Sequence, residues 1–243
     1  MILTAEKISK QFFRKRKDSN VFFAVNETDF ELEEAKLTVL CGKSGSGKST
    51  LLNMLSGILA PSGGSIFLSD PENGEKIDIY SLNDDYLSRL RNKHYGVIPQ
   101  GQTALHSLTV LENVIVPYNL YENESRKNSE DDFEAVRQRA LMLLKRVGIE
   151  ELADVMPGEL SGGELRRMSI ARALIMKPDI IFADEPTEDL DDSNTEAVLK
   201  LLKEISGEGR SVMMVTHDKD AFEYADIIYK MKNGSLERCD LPE

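Results

Sequence analysis

The sequence has no run of about 18 consecutive apolar residues, so no membrane-spanning helix is expected. Its first residues, Met1 to Lys10, are broken by Glu6, Lys7 and Lys10 and lack the uninterrupted apolar stretch of a secretion signal. Basic charge is in deficit: 30 Lys and Arg stand against 42 Asp and Glu, for a net charge of −12. A nucleic-acid binder normally carries a basic face, so no nucleic-acid partner is expected. Cysteine is scarce. Cys41 and Cys239 lie in unlike contexts without metal-ligand spacing, which suits a reducing compartment and makes the cytosol the expected location. Internal repeats and low-complexity tracts are also missing.

What remains is an alternation of strand and helix signals. Met1 to Ile8 alternates loosely, as an edge strand would. The basic run Arg14-Lys15-Arg16-Lys17 reads as a solvated hairpin tip, with a lipid headgroup contact as the alternative. Leu37 to Cys41, Ile180 to Ala183 and Ser211 to Val215 are short apolar runs of the kind buried strands show. Ser49 to Leu59 has leucines at helical spacing and is closed by Pro61 and Gly63-Gly64. Such an order implies a parallel sheet covered on both faces. From Gln102 to Leu160 the pattern is mostly helical. Ala135 to Val147 is the clearest amphipathic segment, and the polar Glu122 to Asp132 reads as a surface loop or frayed helix start. A helical insertion in an α/β core explains this layout better than tandem domains.

Gly42-Lys43-Ser44-Gly45-Ser46-Gly47-Lys48-Ser49 fits the P-loop pattern and lies between a strand and a helix, as the mechanism requires. Glycines let the backbone turn so that successive N–H groups face phosphate oxygens, and the following helix adds its positive end. Lys48 can reach β- and γ-phosphates, and the Ser49 hydroxyl can hold Mg²⁺. A purine nucleoside triphosphate is the expected ligand. Asp184-Glu185 follows the strand Ile180-Ile181-Phe182-Ala183, at the end of an α/β sheet where ligands collect. Asp184 suits Mg²⁺ binding through water, and Glu185 suits a general base. The pair would equally serve as a helix cap if the P-loop were absent.

Further motifs complete a family pattern. Leu160-Ser161-Gly162-Gly163-Glu164 resembles the ABC signature, opening a helical segment through Arg166 to Leu174. Gln100, ending Gly96-Val97-Ile98-Pro99-Gln100, resembles the Q-loop glutamine, Leu190-Asp191 the D-loop, and His217 in Val215-Thr216-His217-Asp218 the switch histidine. Phe12 stands where the family stacks an aromatic on adenine, although Phe13, Phe22 and Phe23 compete for that place. The chain is thus identified as a member of the ABC ATPases, with the resemblance running from Met1 to about Gly234. Leu108-Thr109-Val110-Leu111-Glu112-Asn113-Val114, Pro117 and Ala183 to Thr187 are similar to the lipoprotein-release, macrolide-efflux and antimicrobial-peptide-resistance group. Read without the family, Ser161-Gly162-Gly163 is a helix N-cap or a second anion site.

The resemblance implies an α/β P-loop NTPase core with a helical subdomain inserted before the signature helix. One ABC ATPase domain would span 1–243, with its core at about 1–100 and 165–234 and its helical part at about 101–164. Two composite sites are implied, each pairing one protomer's P-loop (Gly42, Lys43, Ser44, Gly45, Ser46, Gly47, Lys48, Ser49, Thr50) with Ser161, Gly162 and Gly163 of a homodimer mate or close paralogue. Glu185, His217, Gln100 and Asp191 are the implied catalytic residues, and Ser49, Gln100 and Asp184 the Mg²⁺ ligands. The implied partner is a separately encoded permease that holds the chain on the inner face of the membrane. It would dock partly on Leu105, Leu108, Val110 and Val114. The alternatives are control of a membrane complex such as a cell-wall hydrolase, or a soluble role on ribosomes, DNA or cofactor assembly. Departures from the pattern include Ala35-Lys36 before the P-loop strand, Glu164 for glutamine, and Glu188-Asp189 where the subgroup has Gly-Asn. The last two carboxylates would slow hydrolysis or repel a partner. His94 and His106 are expected to be structural, and Cys41 a buried core residue.

Overall fold

The computed structural model describes residues 1–13, 21–70, 74–101, 103–120 and 130–239, the side chains of 130–132 excepted. The basic run at 14–17, Gln102 and residues 121–129 therefore lie outside the described residues. In chain order the elements are β1 (Ile2–Phe13), β2 (Val21–Leu32), β3 (Leu37–Cys41), α1 (Lys48–Leu55), β4 (Gly63–Ser69), β5 (Lys76–Asp78), α2 (Asp84–His94) and β6 (Tyr95–Ile98). There follow α3 (Val110–Asn119), α4 (Glu130–Arg146), α5 (Gly162–Leu174), β7 (Ile180–Asp184), α6 (Asp192–Gly207), β8 (Ser211–Thr216), β9 (Ile227–Lys232) and β10 (Ser235–Cys239).

Among the described residues the strands form two sheets. One is six-stranded, in the order β10-β9-β3-β8-β7-β6. It is parallel from β9 to β6, with β10 antiparallel at one edge. Successive residues of a strand face opposite sides of the sheet, so a strand buried on both faces is apolar throughout. Leu40, Ile180, Phe182, Met213 and Val215 join α1 and the second sheet in one core. Val39, Ile181, Ala183, Val212 and Met214 join α3, α5 and α6 in the other. The three apolar runs named from the sequence are these central strands.

The second sheet, antiparallel in the order β2-β1-β4-β5, is not among the elements expected from the sequence. Here the edge-strand expectation fails, because β1 is paired on both sides, with β2 and with β4. Its alternation looks loose because the register shifts after Ala5 and Lys7 takes a positive φ of 49°. Leu3, Ala5 and Ile8 nevertheless all point into the core. The first helix is also shorter than expected: it stops at Leu55, where Ser56 and Gly57 (φ 74°) turn the chain before Leu59. Helix α2 was missed, although its signals are ordinary. Asn83 accepts the Tyr86 amide as an N-cap, Asp84 and Asp85 fill the first turn, and Arg91, Lys93 and His94 the last.

Phe182 is fully buried and meets Tyr95 edge-on at 5.2 Å, tying β7 to β6 two residues before Asp184. Phe182→Ala should lower the unfolding free energy by about 3–5 kcal/mol, the usual loss for a core aromatic. Urea denaturation followed by circular dichroism measures it, and a loss below about 1 kcal/mol would mean that this layer collapses to fill the space.

Candidate functional site

The parallel strands end at one edge of the sheet, and their following residues enclose a cavity of about 740 Å³. Ser44 to Thr50, Gln100, Glu185 and His217 line it, together with Phe12, Phe22, Phe23 and the Asn233-Gly234 turn. A volume in this range suits a ligand of nucleotide size.

The loop from Gly42 to Gly47 is held by close backbone approaches. A Cβ on Gly47, where φ is 109°, would sit 2.1 Å from the Ala24 carbonyl oxygen. One on Gly42 would sit 2.3 Å from that of Met231. Only glycine fits at both positions. The Gly234 amide donates to the Ser46 carbonyl at 3.0 Å, so the β9–β10 turn buttresses the loop. Sequence reasoning missed this contact, which comes from a part of the chain with no motif. The Ser46 hydroxyl is buried and has no hydrogen-bond partner among the described residues, an acceptor-seeking group facing the loop's interior.

Lys48 is buried; its Nζ donates to the Gly42 carbonyl at 2.9 Å and lies 4.0 Å from Glu185 Oε1. The Ser49 hydroxyl donates to Asp184 Oδ1 at 3.1 Å. Burial pushes the Asp184 carboxyl up, the charges of Glu185 and Glu188 push the same way, and the Ser49 bond and Lys48 oppose them. Three carboxylates thus face one buried ammonium. A hard divalent cation beside the Ser49 and Asp184 oxygens would relieve that imbalance, so the donor set fits Mg²⁺. Among the described residues no group of three or more His, Cys, Asp or Glu can hold a metal unaided. Such an ion would need ligands from phosphate and water.

Glu185 sits in the left-handed region at φ 46°. Its amide donates to the Val215 carbonyl at 2.8 Å, and its Oε2 lies 2.9 Å from His217 Nδ1, a bond when that nitrogen carries the proton. Among the competing aromatics, Phe12 stacks on Phe22 with centroids 5.7 Å apart, while Phe13 is 75% exposed and does not line the cavity. Gln100 lines the cavity, and its Nε2 donates to both carboxylate oxygens of Glu188 at 3.1 and 3.0 Å. Glu188, expected from the sequence only as a repelling charge near a seam, is thus also a hydrogen-bond partner of Gln100.

Ser161, Gly162, Gly163 and Asp191 lie elsewhere. Ser161 caps α5 in a capping box: its amide donates to Glu164 Oε2 at 2.7 Å and its hydroxyl to the same oxygen at 2.8 Å. Those bonds hold the Glu164 carboxyl below the usual range. Asp191 caps α6 by accepting the Asn194 amide at 2.8 Å. Asn194 in turn accepts a hydrogen bond from Arg167 of α5, linking the two helix starts.

His94 pairs with Asp179 at 2.6 Å, joining the end of α2 to the start of β7. His106 is exposed. Cys41 is half-buried, not buried as expected, because it is the last residue of β3 beside the loop; burial and the nearby Cys239 push its thiol up. In the 100–117 segment, Val110 and Val114 are fully buried, whereas Leu105 is 46% exposed. Only part of that set is therefore available as surface.

Comparisons with known proteins point to one family. A family model described as ABC transporter matches residues 25–188. The lipoprotein-releasing system ATP-binding protein LolD of Francisella tularensis subsp. tularensis (strain FSC 198) is 36% identical over 238 residues, covering 98% of this chain and 96% of that protein. The macrolide export ATP-binding/permease protein MacB 2 of Yersinia pestis bv. Antiqua (strain Antiqua) is 37% identical over 97% of this chain, which spans 32% of that longer protein. Two solved structures of one bacterial ABC transporter cassette, both dimeric, superpose with TM-scores of 0.84 over 99% of each chain. One is 30% identical, and the other, 29% identical, is a post-hydrolysis state bound to ADP and phosphate.

Asn113 is buried, and its part in the fold is not evident from its place in the motif. Its side chain accepts the Leu105 amide and donates to the carbonyls of Leu105, Leu108 and Thr109, pinning the loop before α3. Asn113→Ala should lower stability by roughly 1–3 kcal/mol and speed hydrogen exchange at the Leu105 amide. Unchanged protection at Leu105 would show that the loop is held by other contacts.

Proposed function

The chain belongs to the ABC transporter ATPases, and on that premise we propose that it powers a separately encoded membrane permease as one half of an ATP-bridged dimer. It binds ATP and hydrolyses it to ADP and phosphate. The observation that carries the reading is the convergence of the P-loop, Glu185, Gln100 and His217 on one nucleotide-sized cavity at the sheet edge. Two of the relatives are named for a lipoprotein-releasing system and for macrolide export, which favours a transport engine over a regulator of wall hydrolases.

In this reading Phe12 stacks on the adenine, backed by Phe22. The amides of Ser44 to Thr50 and the Lys48 ammonium hold the phosphates, which replace the Gly42 carbonyl as partner of Nζ. Ser49, Asp184 and Gln100 would hold Mg²⁺, which when bound neutralises charge on the phosphate oxygens. Glu185 takes a proton from the attacking water, and His217, at 2.9 Å from its carboxylate, orients Glu185 and the γ-phosphate. Ser161 and Gly162 are exposed and outside the cavity, so a second copy or a close paralogue must bring them to the γ-phosphate, with Asp191 at the same seam. Helices α3 and α4 form the helical subdomain at about 101–164. Its exposed side, including Leu105, receives the permease that holds the chain on the inner face of the membrane.

Glu185→Gln should keep ATP binding, slow turnover by about a hundredfold or more, and accumulate an ATP-bound dimer on size exclusion. Near-normal turnover would remove Glu185 from its role. In that background, mixing Lys48→Ala chains with Ser161→Arg chains should restore tightly held nucleotide that neither retains alone, because the mixed dimer has one intact composite site. Parental retention by either variant alone would sink the shared-site reading.

A further inference from the structure

Glu188 takes no part in the cycle above, yet it lines the same cavity as Lys48 and Ser49. It is half-buried in the turn after Glu185, where its amide donates to the Glu185 carbonyl at 3.2 Å. Both of its carboxylate oxygens accept from Gln100 Nε2, at 3.1 and 3.0 Å. Behind the pair, Arg166 is buried on α5 and donates to the carbonyl of Pro99, the residue before Gln100, at 2.9 Å.

A carboxylate only accepts hydrogen bonds, so it dictates which end of an amide it meets. With Nε2 committed to Glu188, the Gln100 oxygen is turned away from it, and no described residue donates to that oxygen. The oxygen is the one atom of the amide that a cation can bind. A neutral or absent partner at 188 would leave the amide free to present either end.

We propose that Glu188 is a positioning residue that fixes the Gln100 amide so that its oxygen, and not its nitrogen, is offered to the cation accompanying bound nucleotide. The inference rests on the reading of Gln100 as a cation ligand given above. It assigns a use to a carboxylate that would otherwise only repel phosphate. Partners that orient a metal ligand are typically worth ten- to a hundredfold in affinity.

The test is calorimetric titration of the full chain with AMP-PNP, once with excess Mg²⁺ and once with EDTA. Glu188→Gln removes a negative charge, and Glu188→Asp keeps the charge but shortens the reach. Both should weaken binding about tenfold with Mg²⁺ and leave affinity in EDTA no weaker than that of the parent. A variant that binds more tightly, or equally well, with Mg²⁺ would show Glu188 to be a repelling charge or a bystander, and would overturn the proposal. Equal weakening in both conditions would assign it a structural role and overturn it too. Undiminished ATP turnover in Gln100→Ala would instead overturn the role of Gln100 itself, a failure separate from either of these.

Discussion

In-register pairing of β6, β7, β8 and β3 decides where every reactive side chain stands. Ile98 is opposite Ala183, Asp184 opposite Val215, and Cys41 opposite Thr216. The residues that follow each strand end, Gln100, Glu185, Gly42 and His217, therefore emerge from one edge and meet. A slip of a single residue in any pair would carry a strand's whole side-chain set to the opposite layer. Hydrophobicity alone does not forbid that slip, since both layers are apolar. Volume does: Phe182 fills the layer beneath α1, while Ala183 leaves room on the other side for the helices.

The same edge concentrates charge and backbone strain. Lys48 faces Asp184, Glu185 and Glu188, and the chain from Glu185 to Asp189 begins and ends in the left-handed region, at φ 46° and 62°. Non-glycine residues hold such angles only where surrounding bonds over-determine them. At Glu185 those bonds are its amide to Val215 and its carboxylate to His217. The strained turn folds Glu188 back toward Gln100, so the tight turn and the amide's orientation have one cause.

The central strands and the phosphate loop were legible in the sequence because their signals are local. An apolar run that stops at Gly42 or Asp184 leaves few alternatives, and the glycine spacing is a local pattern, although the Ala24 and Met231 approaches add a reason for Gly47 and Gly42 that the pattern does not state. The antiparallel sheet was not legible. Its first strand changes register at a bulge, which erases the alternation by which a strand is recognised. Contacts between distant parts of the chain were hidden for another reason. Gln100 and Glu188 are 88 positions apart, and nothing in either local pattern says that the turn after β7 reaches the end of β6. Asn113 was hidden by its neighbours, since a polar residue in an apolar helix says that it needs partners but not which ones.

Three arginines on α5 tie the edge of the cavity to neighbouring segments. Arg166 holds the Pro99 carbonyl, Arg172 holds the Thr103 carbonyl and hydroxyl at 2.9 and 2.6 Å, and Arg167 holds Asn194 beside Asp191. The segment carrying Gln100 is thereby fastened to the signature helix at two points on either side of Gly101. The start of α6 is fastened to the same helix at a third. Separating any of these would leave a guanidinium, or the carbonyl it serves, without its partner, and for the buried Arg166 that loss is large. Gln100 therefore sits in a segment tied to α5, against which α3 is also packed. Through α3, the Asn113-pinned loop that carries the exposed Leu105 belongs to the same packed unit as α5.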